Sequence, residues 1–269
     1  MTSYLEGLTE RDVGTLASIV GEQPDWLATE LRRRPWWIHD LLVRPDVFDK
    51  VLDRHAHPAD VVSPFLLFAI LIHRTSEDLR EATYVNEWIG PRSRMPLFDV
   101  EPLQEFVEDP GRTFFLAAVL ASFATPQTPP VPTEPFDLHG LALWLDQTLP
   151  DDRISLLRRL GDLSLFLTGV FPDSTGCRPL QPHDAERLGR TIGMTPDEMW
   201  ALCDGSLPSA GIDALEALGS RWYGAALLGA GTPPVVGDVA TRFRSARRVL
   251  NHLTDHYLYR FETGWSVAA

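Results

Sequence analysis

Apolar residues recur along most of this chain at three- and four-residue spacing, the period of an α-helix rather than of a strand. The first such segment, Glu10 to Val20, sets Val13, Leu16 and Val20 on one side behind Thr9, a residue suited to capping a helix. A second begins at Asp25 and carries Trp26, Leu27 and Leu31. It stops where Arg34 meets Pro35, because proline drives the residue before it out of helical backbone. Asp46 to Leu52 repeats the pattern after Pro45. The clearest start signal is Ser63-Pro64, a cap residue followed by proline at the first helical position. From Phe65 to Ile72 the next helix is apolar on every side, which predicts a central, buried element; charge returns at Arg74, Glu77, Asp78 and Glu81.

A further helix is expected from Pro110 to Phe123. Thr125 to Pro135 then holds Pro126, Pro129, Pro130, Pro132 and Pro135, which excludes helix and central strand and predicts an extended connector. Helical spacing resumes over Leu138–Leu149, Asp151–Phe171, His183–Ile192, Ser209–Leu228 and Val235–Phe261, and Thr195-Pro196-Asp197-Glu198 reads as a capping box opening one more helix. No run of period-two strands and no long-period repeat is read anywhere. The fold class expected is therefore all-α, a multi-helix bundle of about ten helices in two packed halves. Residues 1–124 form one half and 137–269 the other, with 125–136 between them. Phe65–Ile72, Asp162–Phe171 and the last helix supply the expected core.

Composition narrows the function classes. The formal net charge of −13 opposes general binding to nucleic acid or to an anionic membrane, both of which require a cationic surface. The longest apolar run, Phe65–Ile72, falls well short of the roughly 20 residues a spanning helix needs, so membrane insertion is not expected. The first residues carry no secretory signature. Two cysteines, Cys177 and Cys203, suggest no disulfide framework, and the expected location is cytoplasmic.

Against the acidic background two basic clusters stand out. Arg32-Arg33-Arg34-Pro35-Trp36-Trp37 mixes guanidinium groups with indoles, and Arg244, Arg247 and Arg248 crowd two turns of the last helix together with Arg242. Arginine and tryptophan are the residues most enriched at interface hot spots, so both clusters are candidate partner-binding residues, suited to an acidic segment of another protein.

Histidine supplies the candidate metal chemistry. His252 and His256 stand at i and i+4, where two imidazoles on one helix can share a metal. They fall roughly 120° to 180° from the apolar stripe of Phe243, Ala246, Leu250, Leu253, Tyr257 and Phe261, at about 100° per residue. Tyr259 and Asp255 lie beside them. His73, Glu77 and Glu81 form a second ladder, but no Glu-x-x-His pair accompanies it, which opposes a di-iron bundle. His55 and His57 read as a helix C-terminus. His183-Asp184, with His139 upstream, combines groups that can hold a metal but also suits a helix start. Phosphate-binding loops, dinucleotide fingerprints and nucleophile elbows are absent.

The reading these features favour is a helical binding or regulatory protein that engages a protein partner through an Arg/Trp surface. Self-association is compatible with it. The alternative is a helical enzyme or carrier holding a metal, haem or apolar ligand between the halves, with His252 and His256 as ligands.

Overall fold

A computed structural model describes residues 5–52, 62–90, 92–124, 137–176, 182–202 and 210–258. The expected connector 125–136, His55, His57, both cysteines, Tyr259 and Phe261 lie outside these residues. Among the described residues the chain is 75% helical, with 15 helices and one two-stranded sheet, which establishes the all-α class. No helix among them is long and apolar enough to cross a membrane. The chain forms two compact units, Met1–Ala82 with Val107–Gln127, and Thr83–Phe106 with Thr128–Ala269.

The first unit holds α1 (Glu10–Val20), α2 (Pro24–Arg33), α3 (Trp37–Leu42), α4 (Pro45–Val51) and α5 (Pro64–Glu81). Thr9 caps α1 reciprocally: its hydroxyl accepts from Asp12 N at 3.2 Å and its own N–H donates to Asp12 Oδ2 at 2.8 Å. Asp12 is fully buried, and its other oxygen accepts the Ser63 N–H at 2.7 Å, so one carboxylate fixes the starts of two helices. Ser63 caps α5 by accepting from Leu66 N at 3.2 Å, with Pro64 at the first position. Every residue from Phe65 to His73 is buried. After the second unit's hairpin the chain returns through α6 (Glu101–Val107) to α7 (Pro110–Ala124), which packs along α5.

The second unit begins with a feature the hydrophobic pattern did not announce, an antiparallel hairpin of β1 (Val85–Gly90) and β2 (Ser93–Leu97). Its turn places Arg92 at φ 54°. The helices that follow are α8 (Leu138–Gln147), α9 (Pro150–Val170), α10 (Pro172–Gly176), α11 (Pro182–Arg190), α12 (Pro196–Leu202), α13 (Ala210–Ala226), α14 (Val235–Thr241) and α15 (Phe243–Leu253), with a π-helical turn over Thr254–Leu258. The expected Thr195–Glu198 capping box opens α12.

Helix α9 is the spine of this unit, packed against α13 and α15. Two glycines permit the close approach: a Cβ on Gly161 would meet the Tyr223 ring at 2.6 Å, and one on Gly169 would meet Leu250 Cβ at 2.7 Å. The segment read as one helix from Val235 is broken at Arg242, whose φ of −115° and ψ of 30° leave the helical region.

Candidate functional site

The first basic cluster lies in the first unit, at the junction of α2 and α3. Leu27 and Leu31 bury one face of α2, which turns Arg32, Arg33 and Arg34 outward, all three exposed. Arg34 at φ −134°, ψ 74° ends the helix ahead of Pro35. The chain re-enters a helix at Trp37, whose N–H donates to the Arg34 carbonyl at 3.0 Å.

This tight turn brings three indoles to one place. Trp36 is 56% exposed and Trp26 44%, and Trp26 meets Trp37 edge to face with centroids 5.6 Å apart. One acidic side chain serves the arginines. Glu30 lies 2.9 Å from Arg33 Nη1 and 3.7 Å from Arg34 Nε, and no ion pair engages Arg32 among the described residues. Ion pairs at a helix surface are weak, on the order of 0.3–0.5 kcal/mol, so Glu30 holds these arginines only loosely. In the sequence Trp26 belongs to the α2 apolar pattern and nothing there sets it apart; in the fold it neighbours the buried Leu27 and is itself exposed.

The second cluster lies in the second unit and is occupied from within. Arg247 is 3% exposed. It donates through Nε to Glu216, through Nη2 to Glu87 Oε1 at 2.6 Å, and through Nη1 to Asn251 Oδ1 at 2.6 Å. Burial alone would depress its guanidinium, but Glu216 and Glu87 outweigh that and hold its pKa above the ordinary arginine value. Arg248 Nε meets Glu87 Oε2 at 2.5 Å, and Arg244 bridges Glu216 at 2.8 Å and Asp213 at 3.4 Å. The Glu216 hydrogen bond and charge raise the Arg244 pKa. Glu87 belongs to β1, so Arg247 and Arg248 anchor the hairpin to α15. The sequence signal for this inward role was Glu216 itself, a carboxylate set among the apolar residues of α13.

Further polar contacts hold the hairpin. Asp173 accepts from Trp88 Nε1 at 2.7 Å and Arg92 N at 2.8 Å. Partial burial would raise its pKa, but these donors and Arg94 bring it below the usual carboxylate value. Arg94 also reaches Asp255 in the π-helical turn at 3.2 Å.

The His252 and His256 rings stack at 3.9 Å with 18° between their planes, and His256 Nδ1 lies 2.9 Å from the His252 carbonyl. That contact orients one ring through the backbone. His73 turns into the core of the first unit, whereas Glu77 pairs with Arg80 and Glu81 is exposed, so the ladder does not converge. His139 and His183 both approach Asp184 Oδ1 through Nε2, at 3.4 and 3.0 Å. Among the described residues no group of three or more histidine, cysteine or acidic side chains is arranged to hold a metal ion.

One buried acid remains between α9 and α13. Asp162 Oδ1 accepts from Tyr223 OH at 2.8 Å, and burial raises its pKa despite nearby Arg158 and Arg159. Burial likewise lifts the Tyr223 phenol well above its ordinary value. Compared with known proteins, the chain matches no family model, no curated protein and no solved structure.

Proposed function

We propose that this protein is an α-helical binding or regulatory protein that docks an acidic segment of a protein partner on the α2–α3 surface. The observation that carries the reading is the exposure of Arg32, Arg33 and Arg34 beside Trp36 and the Trp26–Trp37 pair. Guanidinium groups supply bidentate donors to carboxylates, and the indoles supply apolar area that loses little side-chain entropy on binding. The charge contrast supports the choice of partner: three adjacent cations sit on a chain of net charge −13. Such a surface attracts an acidic segment locally while the rest of the chain repels it, which favours one register. Arg247 and Arg248 play a different part, joining the hairpin to the helical body.

A rhodamine-labelled peptide of five Asp-Leu repeats, titrated by fluorescence anisotropy, tests the reading. Arg33→Ala and Trp36→Ala should each weaken its binding by roughly tenfold, the scale of a hot-spot residue, and raising salt should weaken it further. Unchanged affinity in both variants, with an unchanged far-ultraviolet dichroism spectrum, would refute the surface.

A further inference from the structure

Helix α3 begins immediately after Trp36, carries Trp37, and rests on α5. Ile38, Leu41 and Leu42 are its buried residues, and its seat also includes a contact between two imidazoles. The His39 ring meets the His73 ring of α5 with centroids 4.6 Å apart and planes tilted by 55°. Phe114 of α7 stands edge-on to His73 at 5.5 Å. His73 is 2% exposed, and among the described residues neither His73 Nε2 nor His39 Nδ1 has a hydrogen-bond partner. The charged groups facing the pair are Arg80 and Glu77 of α5 and Asp40 of α3. Burial and Arg80 lower the His39 pKa, against Asp40 and Glu77. Burial, with His39 and Arg80, brings His73 down to about 3.

We propose that the His39–His73 contact is an acid-sensitive seat for α3, so that acidification loosens this helix and with it the Trp36–Trp37 part of the docking surface. The mechanism is linkage. In place, His73 stays neutral, because a proton on its Nε2 would be buried, under the repulsion of Arg80, with no acceptor among the described residues. Once α3 lifts and water reaches the ring, His73 regains an ordinary pKa near 6.5 and binds a proton. Opening therefore becomes more favourable as pH falls below that value, and continues to do so down to the folded value. Taking 6.5 and about 3 as the two limits, the opening equilibrium rises about tenfold between pH 7.5 and 5.5, and about thirtyfold by pH 5.0.

The consequence for a partner rests on the docking reading above; the seat itself does not, so the test uses the protein alone. Amide hydrogen exchange, expressed as protection factors, reads the opening directly at Trp37, His39 and Val43, whose N–H groups donate to the carbonyls of Arg34, Trp36 and His39. Their protection should fall about tenfold from pH 7.5 to 5.5, while amides of α1 change by less than about twofold. In His73→Leu the fall should shrink to the smaller part that the lowered His39 pKa still supplies, and in His39→Gln/His73→Leu it should disappear; His73→Gln, which is also uncharged, serves if leucine does not fold. Constant protection in the wild type, an equal fall in the His73 variant, or a uniform fall across α1 and α3 would each overturn the seat. Any of these outcomes leaves the docking surface to be judged by its own peptide titration.

Discussion

Replacing Arg247 with methionine keeps most of the side chain's length and removes its charge from between two carboxylates. The Glu216 side chain is 7% exposed and that of Glu87 14%, so neither regains full hydration when its partner is lost. Removing one member of a buried ion pair costs about 3–5 kcal/mol, chiefly because the opposite charge is left behind. Here Arg244 remains on Glu216 and Arg248 on Glu87, which places the expected loss near the lower end, about 3 kcal/mol. Asn251 Oδ1 also loses its donor, although its amide still reaches the Thr168 and Gly169 carbonyls. Urea denaturation followed by far-ultraviolet dichroism measures the loss. A companion variant, Arg247→Met with Glu216→Gln, should recover about 1 kcal/mol of it, because the buried Glu216 charge, left with Arg244 alone, is gone. Arg247→Met within about 1 kcal/mol of wild type would show that the second arginine cluster is not a structural network.

Other sites give independent checks. Thr9→Ala should cost about 1 kcal/mol as one cap is lost, and Asp12→Ala about 2–3 kcal/mol, since it strands the Thr9 and Ser63 N–H groups together; equal losses in urea titrations would contradict the shared role of Asp12. Asp162 has a raised carboxyl pKa in the fold, so the wild type loses stability as pH rises above about 3.8, the unfolded value, and Asp162→Asn should compare better with wild type at pH 7.5 than at pH 4. A pH-independent difference would refute that. Asp173→Ala removes the acceptor of Trp88 Nε1 and Arg92 N and should speed amide exchange in β1 and β2 while leaving α9 protected; unchanged hairpin protection would show that Asp173 does not hold it.

Much of the helical layout was legible because the residues that start and stop helices act locally. Thr9, Ser63-Pro64 and Thr195–Glu198 mark their helices in sequence and do so in the structure. The apolar stripe of Phe243, Ala246, Leu250 and Leu253 is buried as its spacing requires. The hairpin is not legible in the sequence because its two strands are short and find their partners far along the chain. Glu87 finds Arg247 and Arg248 more than a hundred residues away, and Arg94 finds Asp255. The same distance explains why the two arginine clusters looked alike in sequence. Nothing local distinguishes arginines turned to solvent from arginines neutralised by an acid on another element. Their burial separates them, with Arg33 67% exposed at its side chain and Arg247 3%.

That distinction is also the most direct point of attack. Isothermal titration of the Asp-Leu repeat peptide into the wild type, into Arg33→Ala/Trp36→Ala and into Arg244→Ala would weigh the two clusters in one experiment. Arg244 is the exposed member of the second cluster, so its loss should not disturb the buried network strongly. Binding should fall by about a hundredfold in the double variant, roughly the sum of two hot-spot losses, and stay unchanged in Arg244→Ala. Binding that survives the double variant, or that is lost instead with Arg244, would contradict docking on the α2–α3 surface.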